Sequence, residues 1–123
     1  MQKIHTNNAP AAIGPYSQAI ETNGLIFTSG QIPIDPTTGE ISGSNVEEQT
    51  ERICENLKAV LEAAGVSLSN VVKTTCFLAD MSDFAAFNAV YAKYFTQNPA
   101  RSCVAVKTLP KNVLAEIEAI AVK

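Results

Sequence analysis

Two glutamates stand inside a stretch that otherwise reads as apolar β-strand, and few features constrain a small chain more tightly. Residues 99–121 run PARSCVAVKTLPKNVLAEIEAIA, which reads as two strands joined by a tight turn built on Pro110 and Asn112. Arg101 opens the first strand beside Cys103. Glu116 and Glu118 stand in the second, between Leu114, Ile117 and Ile120. A strand this apolar buries at least one face, and charge is rarely buried there without a partner or a purpose. Where local pattern and residue type conflict, function is the first explanation to test.

The register of that hairpin decides which side chains meet. A four-residue loop, 109–112, pairs Thr108 with Val113 and sets Cys103 opposite Glu118 and Ala105 opposite Glu116. A three-residue loop puts the two sets on opposite faces. Both registers stay open at this point. Arg101 is one of only two arginines, and its fork of donors fits a carboxylate bidentately. The plainer reading is a cross-strand ion pair with Glu118 or Glu116.

The rest of the chain reads in order as ββ-α-β-α-ββ. Residues 1–15, with Pro10, Gly14 and Pro15, form an irregular arm. Ser17–Thr22, Asn23-Gly24 and Leu25–Ser29 carry the signature of a hairpin closed by a type I′ turn. Gly30 follows Ser29 where a bulge or close backbone approach is predicted, and Asp35–Gly43 is a turn-rich loop. Ser44 and Glu47 suit a capping box for a long helix, whose buried stripe is Val46, Ile53, Leu57, Val60, Leu61 and Ala64, with Gly65 at its end. Asn70–Ala79 is rich in β-branched residues and reads as a strand. Asp80 or Ser82 caps a second helix with Phe84, Phe87, Tyr91 and Tyr94 or Phe95 turned inward.

This order predicts one domain, 1–123, of the α+β class: a mixed or antiparallel sheet of about six strands with two helices on one face. Nothing in so short a chain covers the other face, so self-association is expected. A mean hydropathy of +0.08 points the same way.

Composition removes several kinds of chemistry. With a formal charge of −3 and a pI near 5.0, the chain lacks the basic stripe of a nucleic-acid binder. No run of apolar residues is long enough for a transmembrane helix, and the N-terminus has no secretory h-region, so no membrane partner is expected. Cys54, Cys76 and Cys103 are far apart and odd in number, which reads as free thiols in a reducing cytoplasm. His5 is the only histidine and lies in the arm, against a Ser-His-Asp or Cys-His unit. No zinc spacing, phosphate loop or dinucleotide motif is present. Catalysis, if any, falls to carboxylates, hydroxyls, backbone amides and Arg101, without a cofactor or metal.

The candidates each have a bland alternative. Glu116, if partly buried, would carry a raised pKa and could shuttle protons, or it is a solvated strand residue. Glu118 carries the same ambiguity, and Cys103 fits simple packing. Tyr16 follows Gly14-Pro15 and offers either a hydroxyl or a packing anchor. Ser29 and Gly30 end a strand where a hydroxyl and free amides could line a site. Asn88 is a polar residue among the second helix's aromatics and needs a partner.

Together these residues resemble a known pattern. IGPYSQAI (13–20), SGQIP (29–33), NLKAVLEAAG (56–65) and PARSCVAV…LP…AEIEAIA (99–121) are similar to the RidA/YjgF family, nearly end to end. The resemblance implies a chorismate mutase-like fold and a homotrimer with active sites in the clefts between subunits. It implies hydrolysis of enamines and imines, such as 2-aminoacrylate/2-iminopropanoate and 2-iminobutanoate, to 2-keto acids and ammonia. Carried onto this chain, it makes Arg101 the clamp on the substrate carboxylate and Glu116 the residue that positions water and manages protons. Tyr16, Ser29, Asn88 and Cys103 would shape the pocket, with backbone amides near Gly30 and Cys103 assisting. The connection TQNPARS is shorter than in some members, which bears on cleft width. Two other roles attach to the family: a regulatory or ligand-binding module using the same cleft, and a ribonuclease, which the acidic pI disfavours.

Overall fold

The computed structural model describes residues 1–123 and contains a single mixed sheet of six strands with two α-helices. In chain order the elements are β1 (Gln2–Ile4), β2 (Ala19–Thr22), β3 (Leu25–Thr28), α1 (Val46–Ala63), β4 (Val71–Leu78), α2 (Phe84–Tyr94), β5 (Ala100–Ala105) and β6 (Ala115–Val122). The strands lie side by side as β1-β2-β3-β6-β4-β5. All neighbours are antiparallel except β4 and β5.

The β2–β3 hairpin forms as expected. Asn23 (φ 51) and Gly24 (φ 76) take the two left-handed positions that a type I′ turn requires. The arm is not wholly irregular: Gln2–Ile4 adds a strand beside β2. Gln18 holds the arm in place, its amide accepting from Thr6 N at 2.7 Å and donating to Thr6 O and Pro10 O at 3.0 and 2.8 Å.

The predicted hairpin 101–122 does not form, and neither register considered for it exists. β4 lies between β5 and β6. The reason is the helix before β5. A strand–helix–strand crossover returns the chain parallel to its starting strand, so β5 lies parallel to β4 at the sheet edge, with Thr74 beside Arg101 and Cys76 beside Cys103. The connection after Ala105 then steps past β4, turning at Lys111 and Asn112 (φ 55 each), and β6 pairs with β4 and β3. β4 takes the protected place because Val71, Thr74, Cys76 and Leu78 are all buried.

Both helices cover one face of the sheet, packing on Ile26 of β3, on β4, and on Ala115, Ile117, Ala119 and Ala121 of β6. The cap of α1 sits one residue later than predicted. Asn45 accepts from Glu48 N at 2.8 Å and Glu48 reaches back to Ser44 N at 2.9 Å, so Ser44 and Glu47 are not the pair. Gly65 (φ 84) ends the helix in the left-handed conformation expected there. Asp80 accepts from Ser82 N and opens a short 3₁₀ turn, Met81–Asp83, that leads into α2. The opposite face of the sheet carries no helix. On it Phe27, Val104 and Val122 stand 39%, 49% and 41% exposed.

Candidate active site

The strand register sorts the candidate residues onto two faces. Arg101 lies opposite Thr74, which lies opposite Ala119, all on the helix-covered side. Glu116 lies opposite Phe77, which lies opposite Val104, all on the open side. Within one chain, therefore, Arg101 and Glu116 do not share a pocket. The cross-strand ion pair considered for Arg101 is absent, because β4 separates the two strands. The chain's one salt bridge joins Lys123 and Glu21, on the surface.

The first group surrounds a cleft of ≈ 560 Å³ lined by Ile13, Tyr16, Ser29, Gly30, Glu116 and Glu118 among others. A break in the β3–β6 ladder makes it. Ala119 N is taken by the Thr28 hydroxyl at 3.0 Å, and regular pairing resumes only where Gln31 and Ile117 exchange backbone bonds at 2.8 and 3.2 Å. One extra residue on the β3 side between Phe27 and Gln31 shifts the register there. Asn56 of α1 secures the far wall of the cleft by donating to the carbonyls of Ile32 and Ile34 at 3.3 and 2.9 Å.

Glu116 is half-buried in this cleft, and its carboxylate lies against the Cα of Gly30. A β-carbon at Gly30 would collide with Glu116 Oε2. Burial, and after it the like charge of Glu118, raises the Glu116 pKa above its ordinary value. Ser29 lines the cleft and donates its hydroxyl to Ser17 O at 2.6 Å. Tyr16 stands at the rim, 52% exposed, its ring 3.2 Å from where a β-carbon at Gly14 would lie.

The second group centres on Arg101. Its Nη1 donates to Asn88 Oδ1 at 2.7 Å, and the guanidinium carbon lies 4.8 Å from the Tyr91 ring centre and 5.5 Å from that of Phe84. Arg101 is therefore the partner that Asn88, a polar residue among aromatics, required. Cys103 lies two residues along the same face, part-buried against the core. Burial raises its pKa, outweighing the lowering by Arg101, so the thiol stays protonated at neutral pH.

Gln18, Gln31 and Lys111 also line the cleft, and sequence reasoning did not select them. Gln18 and Gln31 are polar residues beside strands that the structure buries to 2% and 5% exposure. No cluster of His, Cys, Asp or Glu has metal-site geometry. These side chains offer a guanidinium suited to an anion and a half-buried carboxyl suited to proton exchange.

A small α+β domain, one mixed sheet under two helices, with an arginine and a glutamate presented on opposite faces, is the class that fold and site define. The family model described as Endoribonuclease L-PSP matches residues 6–123. A RutC family protein of Pyrococcus horikoshii is 58% identical, covering 98% of this chain and 96% of that one. The 2-iminobutanoate/2-iminopropanoate deaminase of Salmonella typhimurium is 52% identical, covering 98% of this chain and 96% of that one. The crystal structure of the Escherichia coli YjgF gene product superposes with a TM-score of 0.96 at 50% identity, covering 100% of this chain and 99% of that one. The chain belongs to the RidA/YjgF family.

Proposed function

We propose that this protein hydrolyses reactive 2-imino acids, 2-iminopropanoate and 2-iminobutanoate with their enamine tautomers, to 2-keto acids and ammonia. The observation that carries the reading is Glu116: a half-buried carboxyl against the bare backbone of Gly30, its pKa raised by burial. The name of the Salmonella relative supports the reaction class.

In this reading the site is completed between subunits of a homotrimer, because one chain keeps Arg101 and Glu116 on opposite faces. The uncovered apolar face, with Phe27, Val104 and Val122, is the surface that assembly would bury. Arg101 holds the substrate carboxylate bidentately and places the imine carbon over the neighbour's cleft. Water attacks that carbon as Glu116 takes its proton, giving a carbinolamine. Glu116 returns the proton to nitrogen, the C–N bond breaks, and ammonia leaves as the carbinol hydroxyl gives its proton back to the Glu116 carboxylate and the carbonyl forms. Tyr16, Ser29, Gly30, Asn88 and Cys103 line the substrate. An iminium carbon is already electrophilic, so positioning and one proton shuttle suffice.

The test generates 2-iminopropanoate in place with an amino-acid oxidase and follows its loss. Wild type should accelerate the loss, and Arg101→Ala should lower kcat/KM at least about a hundredfold with the fold retained. No acceleration with either the three- or the four-carbon imine sinks the assignment.

A further inference from the structure

The inner face of α2 does more than fill the core. Phe84, Asn88 and Tyr91 fall at positions i, i+4 and i+7, one stripe of a helix. All three meet the same group: Asn88 Oδ1 accepts from Arg101 Nη1 at 2.7 Å, while the Tyr91 and Phe84 ring centres lie 4.8 and 5.5 Å from the guanidinium carbon. Tyr91 is the fixed member. It is 7% exposed, stacked on Phe95 with centroids 4.5 Å apart, and its hydroxyl shares a 2.7 Å hydrogen bond with Thr74, which is fully buried. Thr74 is also the β4 residue directly beside Arg101 in the sheet. The same strand position thus locks the ring and neighbours the arginine that lies on it.

We infer that Tyr91 is a positioning residue for Arg101, an aromatic platform that holds the guanidinium flat so that its free edge faces an incoming carboxylate. The inference rests on the proposed role of Arg101 as the substrate clamp. A guanidinium left to swing must be ordered when ligand binds, and that cost falls on affinity. A ring beneath it removes part of the cost in advance. Tyr91 touches no substrate. Its effect belongs in KM, whereas the proton-transfer step at Glu116 should not feel it.

The experiment compares Tyr91→Leu, Tyr91→Phe and Phe84→Leu with wild type, reading KM and kcat in the 2-iminopropanoate assay and Kd for pyruvate by calorimetry. Tyr91→Leu should raise KM and Kd about tenfold, with kcat within about twofold of wild type. Tyr91→Phe keeps the ring and should restore both constants to within about threefold. A folded Tyr91→Leu protein with wild-type KM and Kd overturns the inference while leaving the reaction intact. So does a Tyr91→Phe variant as impaired as Tyr91→Leu, because the ring is then not the agent. Should Tyr91→Leu fail to fold, Phe84→Leu decides, since Phe84 is only partly buried: about a threefold rise in KM supports the platform and no change overturns it. A wild type that binds pyruvate in a Tyr91-dependent way without turnover removes the reaction but keeps the platform. A wild type that neither turns over nor binds pyruvate removes both.

Discussion

Glu116 faces two influences of the same sign. Partial burial disfavours its charged form, and Glu118, two residues along the same strand face, adds a like charge. Both push the pKa up, so removing either must bring it down. Glu118→Gln should therefore move the acid limb of the kcat/KM profile to lower pH, as the carboxylate forms more readily; a limb that stays or moves up would show that Glu116 does not set it. The same shift has a consequence for stability. A carboxyl with a folded pKa above its unfolded one binds its proton more tightly in the native state. The stability it adds is present below the unfolded pKa and is lost as pH rises through the folded one. Glu116→Gln should flatten that part of the stability–pH curve, as denaturant melts across acid pH will show. Gly30 tests the geometry from the other side. Its φ is not in the left-handed region, so Ala is admissible to the backbone, yet the new methyl takes the volume of the Glu116 carboxylate. Gly30→Ala should leave the melting temperature within a few degrees and cut kcat by at least about tenfold, since only a flexible side-chain end must move and that end is the proposed proton shuttle.

At the scale of elements, what could be read from the residues was whatever the local chain decides. The Asn23-Gly24 turn, the buried stripe of α1, the Gly65 stop and the aromatic stripe of α2 are each set by neighbours within a few positions, and each is present. Arg101, Glu116 and Asn88 stood out for the same reason: each conflicts with its own surroundings. What could not be read was strand order. The turn chemistry at Pro110 and Asn112 is real, but it turns a connection that steps past β4 rather than one that closes a hairpin. Nothing in residues 99–121 records that β4, residues 71–78, would lie between the two strands, and with it went the faces of Arg101 and Glu116. The helix cap slipped by one because Ser44-Asn45 followed by Glu47-Glu48 offers two overlapping frames. The structure uses Asn45 with Glu48. Asn45→Ala should thus cost about 1 kcal/mol in urea melts at fixed protein concentration, while Ser44→Ala should cost distinctly less.

The whole molecule poses the question that one chain leaves open: how the guanidinium and the carboxyl of the proposed site, on opposite sides of a sheet, would meet one substrate. A face-to-face separation within the subunit makes sense if the face of one chain meets the helix-side edge of another. The proposed trimer supplies that in a closed ring, each interface joining Arg101 from one copy to Glu116 from the next. This arrangement has a consequence that no single-chain site shares. Arg101→Ala and Glu116→Gln proteins, each inactive alone, should regain activity when unfolded together and refolded as a mixture. An interface is intact only when the Glu116→Gln copy donates Arg101 and the Arg101→Ala copy donates Glu116, so random assembly from equal amounts gives about a quarter of wild-type activity. The double variant, mixed with wild type, spoils interfaces without creating any. Its activity should fall with the square of the wild-type fraction rather than linearly. Sites confined within one chain would instead give no recovery in the first mixture and a linear loss in the second. Light scattering on the same samples fixes the subunit number against which both curves are read.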